Sequence, residues 1–141
     1  MSSPPLTIRE YAYLAVSGDG MHQEVTDILK IEPSLAWNAG EPSERTGRLQ
    51  KRMCWRKDSG LDDKEALQKH IEEIFFILQR KREEMKELFF RGFDPYIQCV
   101  GYYTENSFGT HLNRDIVRLA GQLNLAIDFS LYQVSAYEHD G

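Results

Sequence analysis

Two histidines and two carboxylates stand in loops that follow tyrosine-bearing apolar segments. Asp19 and His22 come after residues 11–16, and Glu105, Asn106 and His111 come after residues 97–103. Imidazole and carboxylate together are a donor set for a divalent metal, and a metal-bound water is a hydrolytic nucleophile at neutral pH. If the two segments pair about a pseudo-twofold, Asp19, His22, Glu105 and His111 meet and a metal-assisted hydrolase follows. The ordinary reading is preferred: Asp19 caps a helix, His22 lies in its first turn, and His111 braces its own loop. Ser17 with His22 and Cys99 with His111 are the spacings that resemble a nucleophile and its base, and neither sits in a nucleophile elbow. No catalytic residue, metal or cofactor is assigned. Ser17-Gly18-Asp19-Gly20 has two glycines but lacks the rest of a phosphate-binding frame.

A second chemistry is cationic. Arg45, Arg48, Lys51, Arg52, Arg56 and Lys57 crowd one short span of a chain whose net charge is -5. Residues 47–57 alternate, with Leu49, Met53 and Trp55 on one parity and Arg48, Gln50, Arg52 and Arg56 on the other, which predicts a half-buried strand with a basic face. Arg48, Arg52 and Arg56, with Trp55 beside them, are therefore the candidate binding residues. Guanidinium groups spaced two apart could hold phosphate, a carboxylate-rich partner or single-stranded nucleic acid. Cations on an edge strand also guard against sheet-to-sheet pairing, and that reading is favoured. Tyr11, Tyr13, Tyr102 and Tyr103 invite comparison with base-stacking sheets, but the aromatic-glycine signature of such modules is missing and core packing accounts for them.

These residues need elements to position them. Residues 6–16 are apolar on both parities, the mark of a central strand. Val25, Ile28 and Leu29 form one face of a short helix stopped by Pro33. Asp62 and Glu65 resemble a capping box. Leu67, Ile71, Ile74, Phe75 and Leu78 then recur at helical spacing, and Met85, Leu88 and Phe89 resume the stripe after a polar interval, as one bent helix or two joined ones. Gly92 ends that element. Asn113 should cap the last helix and Asn124 stop it, before a strand that turns Ile127, Phe129 and Leu131 inward. Head and tail thus echo each other as strand, loop, helix, strand. The expected architecture is an α+β two-layer sandwich, with a mainly antiparallel sheet of about five strands, helices on one face, and ferredoxin-like duplicated strand-helix-strand units.

Length and composition set the class. With 141 residues, 41% hydrophobic and 28% charged, the chain fits a single domain over residues 1–141, with residues 1–5 and 136–141 as flexible ends. The longest apolar run, residues 74–78, is far short of the roughly 20 residues of a membrane span, and no signal-peptide core follows Met1. Cys54 and Cys99 lack metal-ligand or redox spacing and read as free thiols in a reducing cytoplasm. The acidic balance argues against nucleic acid as partner and for another protein. Oligomeric state is left open.

Several of these motifs together resemble a bacterial domain-of-unknown-function family, number 4279. They are Ser17-Gly18-Asp19, Leu29-Lys30-Ile31-Glu32-Pro33-Ser34, Trp37, Trp55, the stretch Ser107-Phe108-Gly109-Thr110-His111-Leu112-Asn113, and Leu125-Ala126-Ile127-Asp128-Phe129-Ser130-Leu131-Tyr132. The resemblance covers nearly the whole chain. It implies a bacterial intracellular single domain and brings no assigned activity, cofactor or site residue. The chain departs from that pattern at residues 79–82, where the family has a proline-broken helix and this sequence has no proline. The leading functional expectation is a non-catalytic protein-interaction module, immunity-type or regulatory. The metal-assisted hydrolase and an anion or nucleic-acid binder through residues 45–57 are its rivals.

Overall fold

The computed structural model describes residues 7–104 and 109–134. The chain ends expected to be flexible, and Glu105 to Phe108 of the second loop, lie outside that range. The element order is β1 (Thr7–Ser17), α1 (His22–Leu29), β2 (Leu35–Trp37), β3 (Cys54–Asp58), α2 (Leu67–Leu78), α3 (Arg82–Phe90), β4 (Asp94–Tyr103), α4 (Arg114–Gln122) and β5 (Ala126–Gln133). The strands form one sheet in the order β2-β3-β1-β4-β5. β1 takes the centre, as apolar residues on both parities foretold. β2 pairs with β3, β3 with β1 and β1 with β4, all antiparallel, whereas β4 and β5 are parallel. The fold is α+β, with a mixed, mostly antiparallel sheet.

Alternation along the strands sorts the two faces. Ala12, Leu14 and Val16 of β1, Trp55 of β3, and Ile97 and Cys99 of β4 enter one buried cluster. Val25 and Leu29 of α1 join it, with Leu67, Ile71, Ile74, Phe75 and Leu78 of α2, Met85 and Leu88 of α3, and Ile116 and Ala120 of α4. The helices therefore cover this face. Trp55 anchors its centre at 1% exposure, and its indole N–H donates to Thr26 Oγ1 on α1 at 3.0 Å. At one end of the layer Tyr103 lies over Gly101, where a Cβ would approach the ring carbon Cε2 to 2.6 Å, and donates its hydroxyl to Glu10 Oε2 at 2.8 Å.

Several local signals act as expected. Asn113 Oδ1 accepts from the Ile116 amide at 2.9 Å, and Asn124 and Gly92 take positive φ after α4 and α3. The apolar stripe of residues 67–89 becomes two helices, broken at residues 79–81 without a proline.

Three expectations are corrected. The strand expected over residues 47–57 begins only at Cys54, because β2 offers three residues to pair with. Residues 38–53 instead make a long connection in which Leu49 is 67% exposed and bridges Pro42. Asp62 caps a turn rather than α2: its Oδ1 accepts from the Lys64 amide, and the helix starts at Leu67. The head and tail units are not equivalent copies either. β3 separates β1 from β2, whereas β4 and β5 lie side by side.

Candidate functional site

Antiparallel pairing of β1 with β4 decides the fate of the two loops. Ser17, at the end of β1, sits beside Asp94, at the start of β4, and Thr7 sits beside Tyr103. The loop carrying Asp19 and His22 therefore leaves one end of the sheet and the loop carrying His111 leaves the other, about 30 Å away along a strand of this length. Glu105, and Asn106 with it, lie outside the described residues. Asp19, His22 and His111 do not converge, and among the described residues no group of three or more metal-capable side chains does.

Each of these residues has a local setting. Asp19 is exposed and makes no capping bond among the described residues. The end of α1 is served from its own first turn and from outside: the Met21 amide donates to Glu24 Oε1 at 3.2 Å, the His22 amide donates to Asn38 Oδ1 at 2.7 Å, and Asn38 Nδ2 donates to Gln23 Oε1 at 3.0 Å. His111 is exposed just before α4. The glycines of Ser17-Gly18-Asp19-Gly20 serve packing, because a Cβ on Gly18 or Gly20 would come within 2.8 or 2.7 Å of the Phe93 ring. Cys99 lies in the core, where burial, and then the Asp128 carboxylate, push its thiol up to about 12. That thiol is far from a nucleophile.

The cationic span splits in two. Arg45, Arg48, Lys51 and Arg52 are exposed in the connection before β3, and none of the four makes an ion pair among the described residues. The alternating guanidinium row expected of a strand is absent, because only Arg56 of the three candidate arginines lies in β3. β3 is also an inner strand, so Arg56 guards no edge. Trp55 is enclosed by the core and offers no ring face to a ligand.

Sequence reasoning missed the helix-free face of the sheet. It carries Arg9, Tyr11 and Tyr13 of β1, Arg56 of β3, Tyr96, Gln98 and Tyr102 of β4, and Tyr132 of β5. Tyr103 alone of the four tyrosines first considered belongs to the core. The Arg9 guanidinium is bracketed by two rings, 5.1 Å from the centroid of Tyr11 and 4.8 Å from that of Tyr102. Arg56 lies 4.2 Å over Tyr13, and Tyr102 stacks on Tyr132 at 5.1 Å. Each such contact is worth roughly 0.5–1 kcal/mol at an exposed site and holds both partners in one orientation.

Arg9 and Arg56 also line a hollow of about 250 Å³ with Tyr11, Asp58, Ser59 and Leu61. Their nearest carboxylates, Asp63 and Asp58, stand at 3.9 and 3.5 Å, too loose to saturate either guanidinium. Desolvation raises the phenol pKa values of Tyr13, Tyr96 and Tyr102, so these hydroxyls stay neutral well above neutral pH. The face is an array of rings and guanidinium groups fixed on strands. Its signal in the sequence was the tyrosine alternation at residues 11, 13, 96 and 102, once the other parity is given to the core.

Behind the hollow is a buried pair that also went unnoticed: Ser59 Oγ and His70 Nδ1 lie 2.6 Å apart. His70 is fully buried, Ser59 is 9% exposed at the wall of the hollow, and no carboxylate bonds to the imidazole among the described residues. The pair ties the turn after β3 to α2.

No helix among the described residues is long and apolar enough to cross a membrane. Neither the curated proteins nor the solved structures contain a match to this chain. A family model does match it over residues 7–134, nearly its whole length, and the chain belongs to the family described as Domain of unknown function (DUF4279).

Proposed function

We propose that this protein works by binding rather than by turnover, holding another protein against the helix-free face of its sheet. The observation that carries this reading is the Arg9, Tyr11, Tyr102 and Tyr132 array, with Arg56 over Tyr13 beside it. Tyrosine and arginine are enriched at protein interfaces, because the tyrosine ring gives a large contact with only two torsions to freeze and the planar guanidinium gives several directed donors. Mounting them on strands lowers the ordering cost further. The partner presents carboxylates to the two guanidinium groups and apolar groups to the rings. An immunity-type or regulatory role in a reducing cytoplasm is the narrower form of this reading, in keeping with two free thiols. The order β4-β1-β3-β2, with helical crossovers from β1 to β2 and from β3 to β4, supports a ferredoxin-like frame extended by β5.

Site-specific photocrosslinking tests the reading. A photoreactive phenylalanine analogue at Tyr13 or Tyr132 should capture a discrete protein in host cells, and one at the exposed Phe90 of the helical layer should not. The purified partner should then bind Tyr102→Ala and Arg9→Ala at least about tenfold more weakly. Capture only from Phe90, or affinities unchanged by both substitutions, would overturn it.

A second reading keeps one observation in its favour. Arg45, Arg48, Lys51 and Arg52 are four cations in one exposed connection with no ion pair among the described residues, and they suit a polyanion. Binding of single-stranded nucleic acid that falls steeply with salt and vanishes on charge reversal at Arg48 and Arg52 would select it.

A further inference from the structure

The two edges of the sheet are built differently. On one side β2 has three residues, too short to template another strand. On the other, β5 runs for eight residues in register with β4, and the Val134 amide continues the pairing to Tyr103 O at 2.8 Å. Its outer side has no partner strand among the described residues, so every second residue turns its backbone N–H and C=O outward. The usual protections are missing from it. The strand has no proline, lysine or arginine and one charge, Asp128, and it exposes Phe129 at 41% and Tyr132 at 48%.

We infer that β5 is the contact between two copies of this chain, which pair antiparallel across a twofold axis at Phe129 and continue the sheet from one molecule into the next. The sequence of β5 is complementary to itself in that register and poorer in its neighbours. On the helical side, Phe129 meets Phe129 of the second copy and Ile127 meets the second copy's Leu131, which covers the apolar ring now in water. On the helix-free side, the smallest residue, Ala126, faces the largest, Tyr132. Asp128 faces Ser130, whose oxygen already accepts from Gln98 Nε2 at 3.1 Å and whose own hydrogen, with no acceptor among the described residues, can be given to the opposing carboxylate. A register centred at Asp128 would set two carboxylates against each other, and one centred at Ser130 would set Ile127 against Gln133 and the Asp128 carboxylate against the ring of Tyr132. A twofold axis normal to the sheet keeps both helical layers on one side, and the ring-and-guanidinium faces of both copies on the other. The pairing goes beyond the binding role proposed above and stands without it.

Sedimentation of the whole chain at roughly 100 µM tests the idea, because self-association follows mass action. The expected result is the mass of two chains. Phe129→Lys, which places two ammonium groups across the axis, should raise the dissociation constant about a hundredfold or more while leaving the far-ultraviolet dichroism unchanged. Phe129→Cys reports the register: opposed residues bring their Cα atoms to about 4.5–5.5 Å, within reach of a disulfide, so oxidation should crosslink this variant above the background of the native chain. Asp128→Cys, opposed by Ser130, should not crosslink. A native chain that sediments as one molecule would overturn the inference, including the case in which deleting residues 135–141 makes it dimeric, since the chain's own tail would then be the cover. A dimer that survives Phe129→Lys and leaves Phe129→Cys uncrosslinked would overturn it equally.

Discussion

The two faces of the sheet use the same strands for opposite ends. On the helical face Trp55, Leu14, Ile97 and Cys99 lie within a closed core, and their side chains meet only protein. On the other face Tyr11, Tyr13 and Tyr102 keep contact with water while two guanidinium groups hold them in order. The contrast teaches that an aromatic residue's role follows from the parity it occupies: Tyr102 and Tyr103 are neighbours, and one is presented while the other is locked against Glu10.

The sharpest way to break that contrast is to find a helical-face residue that can be lost cheaply. Trp55→Ala should cost about 3–5 kcal/mol in urea denaturation, because it opens a cavity and strips Thr26 of its donor. Alkali probes the same face. The Cys99 thiol, at about 12, and the Tyr103 phenol, raised by burial and by its bond to Glu10, are both raised on folding. Their stabilisation is complete below the unfolded values of 9.0 and 10.0 and is lost as pH climbs toward the folded ones. Stability should thus fall by about 1.4 kcal/mol per pH unit for each titrating group, first for Cys99, and Cys99→Ala should remove the earlier part of the slope. Gly101→Ala should cost about 1–3 kcal/mol by driving Tyr103 off its seat. Tyr102→Ala is expected to cost about 1–2 kcal/mol of stability, the sum of its contacts with Arg9 and Tyr132, while weakening partner binding at least tenfold. A large stability loss there would mean that the open face is structural.

Much of the frame was legible because its causes are local. Asn113, Gly92 and Asn124 act within a turn of where they stand, and the stripe from Leu67 to Leu78 states its own period. What stayed hidden depends on distant chain. Asp19 had the right chemistry to cap α1, yet Asn38, sixteen residues beyond His22, reaches the helix end first. Residues 47–53 alternate like a strand, but a strand needs a neighbour, and β2 is too short to supply one. The two loops looked convergent because their sequences echo each other, while the direction of β4 against β1 places them at opposite ends. The tyrosines were assigned to packing because residues 6–16 are apolar on both parities, and nothing in that pattern says which face the helices will leave open.

The central place of β1 has a consequence for how the molecule is made. One flank of this strand pairs with β4, whose last residue leaves the ribosome roughly 90 residues after β1 is complete, a delay of about 5 to 20 s at ordinary elongation rates. Through that interval an apolar strand of the nascent polypeptide has an open side, and chaperones have time to find it before the fold can shut.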